Sequence, residues 1–190
     1  MKATLLSVIL LFLSMSIFSQ TLDYNKVDDF TGTHIIKTKG WKGQIPKKAD
    51  RLDQNSHLYI SMSYIKTKEN DEYFALTVFL FNVGDMGCFS EYDGKAMLLL
   101  ESGETLTFKQ NSDTNCDTNF YSVDYLMLSE EQSSLSNWRE AIAENFEVLA
   151  SSKVKKIRVY ATKGYKDFEI IPDKEDYFAK HALLLKDNLQ

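Results

Sequence analysis

Histidine and cysteine, which carry much of enzyme chemistry, are scarce in this sequence. The 190 residues include three histidines and two cysteines. His34, His57 and His181 have no second His or Cys at a metal-ligand spacing. There is no G-x-S-x-G motif, and Cys88 lacks a local signature that would link it to a histidine. We therefore expect no catalytic constellation, no metal site and no cofactor.

Positive charge and proline are also scarce. The chain has 22 Lys and Arg against 27 Asp and Glu, so it lacks the basic footprint that broad nucleic-acid binding needs. The same excess of acids disfavours docking on anionic lipid. Two prolines together with 13% aromatic residues are typical of a folded chain rather than a disordered one. No nucleic-acid partner is expected.

The first twenty residues have the layout of a secretory signal peptide. Lys2 supplies the positive charge, residues 3–18 are almost wholly apolar, and small or polar residues follow at Ser19 and Gln20. The apolar run is shorter than the roughly 20 residues of a spanning helix. We predict cleavage after Ser19 or Gln20, export to the periplasm or the outside of the cell, and no stable membrane insertion afterwards. The alternative is an uncleaved anchor or a buried core segment.

Most of residues 21–190 predict β-strands within a single domain. Residues 57–68 alternate between apolar and small polar side chains, as a strand with one buried face does. Residues 72–81 are apolar at nearly every position, which indicates a central strand covered on both faces. Further strands are expected at 33–39, at 120–128, and in two hairpins, 96–108 and 155–171, that turn at 102–103 and 163–164.

Two helices are expected among these strands. Ser129 and Gln132 form a capping-box pattern, and a second helix start is expected near Ser136 or Asn137. The apolar face of this helix comprises Trp138, Ile142, Phe146 and Leu149. A C-terminal helix should follow Pro172 with Asp173 as its N-cap, and its apolar stripe comprises Tyr177, His181, Leu184 and Leu185.

These elements together predict an α+β fold. We expect a curved, mostly antiparallel β-sheet, or a partly open sandwich or barrel, with one or two packed helices. The C-terminal helix is expected to close an edge of the sheet.

The opening VDDFTGTHIIKT carries a D-x-F-T-G pattern at residues 28–32, and SEEQ at 129–132 and VKKIRVY at 154–160 follow in order. In these features the chain resembles a group of small secreted bacterial proteins of unknown function. The resemblance covers most of residues 21–190 by the order of elements. It implies export and a β-rich fold, and it implies no activity.

The two cysteines predict one disulfide. In an exported chain an even cysteine count favours pairing, and Cys88 and Cys116 allow a single pairing. The bond would close a loop of about 29 residues and stabilise the fold by about 3–4 kcal/mol. The alternative is two separate buried thiols.

Alternating oxygen-bearing side chains surround Cys116 in NSDTNCDTNF, residues 111–120. Asp113, Asn115 and Asp117 have the spacing that opens a calcium loop. An EF-hand then needs glycine and later glutamate, whereas this chain has Thr118 and Asp124. We therefore predict a polar turn between strands. A looser calcium turn is the alternative.

The segment GWKGQIPKKADR concentrates basic residues beside an aromatic ring. Trp41, Lys42, Lys47 and Lys48 could bind an anionic or glycan partner through charge and stacking. The alternative is a solvated loop with its tryptophan packed underneath.

The leading hypothesis is an exported, non-catalytic binding module of the cell envelope. Its partner would be an envelope protein, a glycan or a small ligand, held by the loops at 41–51, 84–94 and 111–119. One alternative is an envelope-polymer hydrolase using loop carboxylates such as Glu91 and Asp93. Another is a carrier of a small apolar ligand, suggested by the strand 73–81, which is apolar on both faces.

Substitution of one cysteine tests the disulfide. We expect Cys116→Ser to lower the melting temperature under non-reducing conditions, because the unfolded chain loses a cross-link worth about 3–4 kcal/mol. Removal of charge from 111–119 is the control and should barely change it. An unchanged melting temperature for Cys116→Ser would contradict the prediction.

Overall fold

The computed structural model describes residues 21–40, 51–54, 57–90, 92, 94–116 and 119–189. The predicted signal peptide and the proposed binding residues Trp41, Lys42, Lys47 and Lys48 lie outside the described residues. The described strands are Leu22–Val27 (β1), His34–Thr38 (β2), His57–Lys66 (β3), Glu72–Phe81 (β4), Lys95–Leu100 (β5), Thr105–Gln110 (β6), Phe120–Leu126 (β7), Val154–Ala161 (β8) and Gly164–Glu169 (β9).

The described strands form one open sheet in which every paired neighbour is antiparallel. The order is β1-β2-β3-β4-β7-β6-β5-β8-β9. The β5–β6 hairpin thus lies between β7 and β8, although it precedes β7 in the chain. The predicted α+β class with a mostly antiparallel sheet is confirmed.

β4 is the central strand that its composition predicts. Residues 75–80 are buried on both faces, and β4 pairs with β3 over its full length and with β7 over residues 75–81. We call the face that points into the main core the inner face. On β3, β4 and β7 it comprises Leu58, Ile60, Met62, Leu76, Val78, Leu80, Tyr121, Val123 and Tyr125.

The helices between β7 and β8 begin where the sequence predicts. Ser129 caps α1 (Glu130–Ser133) in a complete capping box with Gln132, and Asn137 precedes α2 (Trp138–Ser151). The Phe146 ring of α2 stacks on Phe74 of β4 with the ring centroids 3.7 Å apart. α2 therefore packs on the inner face through its predicted apolar side.

The C-terminal helix corrects the prediction at three points. Pro172–Lys174 forms a 3-10 turn, and the helix α3 (Tyr177–Lys186) begins after Asp176 rather than Asp173. Its buried residues are Phe178, His181, Ala182 and Leu185, with Leu184 only half-buried. α3 also packs on α2, β3 and β2 rather than closing an edge of the sheet. The four buried residues follow the i, i+3, i+4, i+7 spacing of one helix face, which begins at Phe178 instead of Tyr177.

β1 was not predicted from the sequence, because its residues do not alternate between buried and exposed positions. It is an edge strand whose residues are half-buried or exposed. The D-x-F-T-G pattern is the β1–β2 turn. One Asp28 carboxylate oxygen accepts hydrogen bonds from the backbone N–H of Phe30 at 3.0 Å and of Thr31 at 2.7 Å, while Gly32 has φ of 71°. The motif is therefore turn chemistry, and it leaves Phe30 99% exposed.

His181 is a buried titratable group between α3 and β2. The residue is 1% exposed, and its Nδ1 lies 2.5 Å from Thr38 Oγ1. Thr38 Oγ1 also accepts a hydrogen bond from the Met62 backbone N–H at 2.9 Å. Nε2 has no hydrogen-bond partner among the described residues. Burial lowers the pKa of His181 to about 3, so the folded protein holds this ring neutral.

Acid should destabilise the fold through His181. The pKa is about 3 in the folded state and 6.5 in the unfolded chain, so the unfolded chain binds the proton first as the pH falls. The contribution is present above pH 6.5 and is lost by up to about 1.4 kcal/mol per pH unit towards pH 3. We expect His181→Asn to flatten this slope in urea unfolding, with His57→Asn as the control. A wild-type slope in His181→Asn would refute this assignment.

Candidate functional site

The structure joins the two cysteines. Cys88 and Cys116 form a disulfide with their Cα atoms 4.1 Å apart, as predicted. Next to it Phe89 and Asn115 form an isolated antiparallel bridge, with N···O distances of 2.8 and 3.0 Å. The loop that follows β4 is therefore fixed to the loop that follows β6.

The same loop is also fixed to the β8–β9 turn. The Cys88 backbone N–H donates to Thr162 Oγ1 at 2.8 Å, and the Thr162 N–H donates to the Cys88 carbonyl at 2.9 Å. The Lys163 ammonium pairs with the Asp85 carboxylate and holds the pKa of that carboxyl below its usual range. Through these contacts residues 85–90 connect the loop after β6 to the β8–β9 turn at one end of the sheet.

The polar turn around Cys116 is only partly described. Asp113 is exposed and Asn115 uses its backbone in the bridge to Phe89, while Asp117 and Thr118 lie outside the described residues. Within the described ranges, no group of three His, Cys, Asp or Glu side chains is placed to hold a metal ion. Glu91 and Asp93, the loop carboxylates of the hydrolase hypothesis, also lie outside the described residues.

A surface cleft opens where β6 separates from β7. The two strands pair only at Lys109 and Gln110, and the Lys109 N–H makes one further bond, 2.8 Å to the Leu128 carbonyl. Beyond Leu128 the chain leaves the sheet and enters α1. The space left beside β6 has a volume of about 740 Å³. It is lined by Tyr92, Gly94, Lys95, Met97, Glu104, Thr105, Leu106, Thr107, Phe108, Lys109, Ser129, Glu130, Glu131, Gln132 and Asn145.

Hydrogen bonds hold the helical wall of the cleft in place. Gln132 Oε1 accepts from the Ser129 backbone N–H at 2.9 Å and from Asn145 Nδ2 at 3.1 Å. Asn145 Nδ2 also donates to the Met127 carbonyl at 2.8 Å. Asn145 thereby links α1, α2 and the end of β7, and the width of the cleft depends on this link.

Charges of both signs surround the cleft. Lys109 Nζ lies 3.0 Å from the Glu130 carboxylate, and Lys95 Nζ lies 4.8 Å from the centre of the Tyr160 ring. Hydrogen bonds from its own backbone N–H and from the Ser129 hydroxyl hold the pKa of Glu131 below its usual range. A carboxylate whose ionised form is stabilised in this way suits binding of a polar ligand better than proton transfer.

A second, smaller cleft lies beside β9. Its volume is about 310 Å³, and it is lined by Asp53, Gln54 and residues 167–172. Its wall includes Asp167, whose carboxylate forms a two-point ion pair with Arg158 at 2.6 and 2.8 Å. Both carboxylate oxygens of Asp167 therefore bind Arg158 within the β8–β9 hairpin.

Sequence reasoning missed the larger cleft because its walls come from distant segments. Thr105 and Thr107 read as ordinary strand residues, and Asn145 reads as a polar helix position. The capping box at Ser129 and Gln132 was the one readable signal, since it marks the point where the chain leaves the sheet.

No protein-family model, curated protein or solved structure matches this chain. Within the described residues, no helix has both the length and the apolar character needed to cross a bilayer.

Replacement of Asn145 tests the helical wall. We expect Asn145→Ala to lower the free energy of unfolding by about 1–3 kcal/mol, because the carbonyl of buried Met127 and the amide oxygen of half-buried Gln132 lose a donor. Glu144→Ala, at the exposed neighbouring position, is the matched control and should stay within about 0.5 kcal/mol of wild type. Equal values for the two variants in urea unfolding would show that this network does not hold the wall.

Proposed function

We propose that the protein is an exported binding module that holds its ligand in the cleft between β6 and α1. The observation that carries this proposal is the cleft itself, most of whose lining residues belong to β5, β6, α1 and α2. Its volume of about 740 Å³ falls in the range of known small-ligand sites. One wall on strand β6 and another on the capped helix α1 hold the binding groups in a fixed geometry.

The leader sequence and the disulfide support export. Residues 1–20 have the layout of a signal peptide, and a structural disulfide suits an oxidising compartment. The partner at the envelope would be a protein, a glycan or a small ligand.

The working surface in this proposal differs from the loops expected from the sequence. Residues 84–90 and 111–116 are joined by the disulfide, by the Phe89–Asn115 bridge and by contacts to the β8–β9 turn. These loops stabilise the end of the sheet and are less able to adapt to a ligand than an open cleft. We therefore assign them a supporting role.

A variant that fills the cleft tests the function. Thr107 lies half-exposed on the β6 wall, so Thr107→Trp should occupy the cleft. Leu183→Trp adds the same ring at a 46% exposed position on α3 and is the matched control. Protein purified after export, mixed with envelope extract from the exporting host, is analysed by native mass spectrometry.

We expect a ligand mass on wild type and on Leu183→Trp that falls by about tenfold or more on Thr107→Trp, a loss of about 1.4 kcal/mol of binding. Equal retention by all three proteins, or no retained mass, would contradict a binding function for the cleft.

A further inference from the structure

We infer that the ligand of this cleft is an extended polypeptide segment that adds to β6 as an extra strand. The inference rests on the proposed function and names its ligand class. It is carried by the direction of the β6 backbone groups, by the space beside them and by the lack of a neighbouring strand there among the described residues.

The hydrogen bonds of β6 show which backbone groups point into the cleft. The Glu104 carbonyl accepts from the Leu100 N–H at 2.9 Å, and the Gln110 N–H donates to the Gly94 carbonyl at 2.9 Å. The backbone N–H and carbonyl groups of the even-numbered β6 residues thus point towards β5. The Lys109 N–H points the opposite way, to Leu128. Because successive residues of a strand alternate in direction, the backbone groups of Thr105 and Thr107 point into the cleft.

These groups form an open strand edge. Among the described residues, β7 pairs with β6 at 109 and 110, and no backbone partner faces Thr105 or Thr107 on the cleft side. Each residue presents one N–H donor and one carbonyl acceptor there. An open edge of this kind is a template for pairing with another chain.

The ligand that fits this edge is a polypeptide backbone. Donor and acceptor recur along the edge at every second residue, roughly 6.8 Å apart, and an antiparallel or parallel strand repeats its own groups at the same interval. A strand placed about 4.8 Å from β6 would occupy the position next to β6 that the chain of β7 vacates after Leu128. Glycans and small ligands do not repeat backbone donors and acceptors at this spacing.

The two sides of the added strand would meet different chemistry. The outer face of the sheet is the one opposite the inner face. Met97 and Lys95 of β5 lie on the outer face together with Thr107, which pairs with Met97. Asn145 and Gln132 lie on the helical wall. Successive ligand side chains therefore face an aliphatic and cationic surface on one side and amide groups on the other. Backbone pairing would supply affinity, and these contacts would supply selectivity.

The test uses three probes with the ¹⁵N-labelled protein purified after export. The first is a capped decapeptide of alternating threonine and valine between terminal lysine and glutamate. The second is the same peptide with every internal backbone nitrogen methylated, which keeps the side chains and removes the donors. The third is a pentamer of N-acetylglucosamine. Chemical shifts locate each probe, and amide exchange reports on Thr105 and Thr107.

We expect the first peptide to shift the cleft amides and to slow exchange at Thr105 and Thr107 by about tenfold or more, because their N–H groups become bonded. The methylated peptide should do neither. Thr107→Pro removes the outward N–H at an edge position where proline is tolerated, and it should weaken the peptide by about tenfold.

Each other outcome overturns the inference in a distinguishable way. Equal binding of the two peptides by wild type, or of the first peptide by Thr107→Pro and wild type, excludes strand addition. Cleft shifts with the sugar pentamer but not with the peptide would leave the binding function standing with another ligand class. No cleft shift with any probe, together with equal ligand retention by wild type and Thr107→Trp, would remove the binding function as well. If Thr107→Pro does not fold, the two peptides decide the question on the wild-type protein.

Discussion

The pairing of β7 with β4 is the constraint on which the rest of the fold depends. β5 and β6 precede β7 in the chain but lie beyond it in the sheet, so two long connections have to cross the molecule. The connection after β4 crosses one end and is fixed there by the disulfide and the β8–β9 turn. The connection after β7 crosses the inner face as α1 and α2, and it supplies Phe146 to the core.

The cleft follows from the same constraint. β7 is held to β4 as far as the Ala75–Leu126 pair, and two residues later the chain has to turn onto the inner face so that Phe146 can stack on Phe74. It therefore leaves β6 early, while β6 continues beside β5. Burial of α2 and exposure of the β6 edge therefore have the same cause. Residues 127–137 lead into the helices, so they cannot also pair with β6.

Much of the sheet could be predicted from periodicity, and the cleft could not. β3, β4 and α2 have strong burial patterns, and the residues predicted for their buried faces are buried except Trp138, which is half-buried. β3 is buried on both faces at residues 58–64, where the sequence predicts one buried face. β1 has no such pattern, because an edge strand meets water on most sides. The C-terminal helix starts later than predicted because the chain first forms a 3-10 turn. The β6 edge depends on where a distant strand stops pairing, and no residue at 105–107 records that.

The disulfide gives the chain a covalent ring that contains the β5–β6 hairpin, since Cys88 precedes β5 and Cys116 follows β6. The tip of that hairpin, residues 101–104, is exposed and turns through Gly103 with φ of 90°. Exposed tips of this kind are preferred sites of proteolytic cutting. A peptidase that hydrolysed the tip would open the ring without releasing a fragment, because the sulfur bridge would still join the two pieces. The β6 edge would then stay attached to the rest of the protein after one cut.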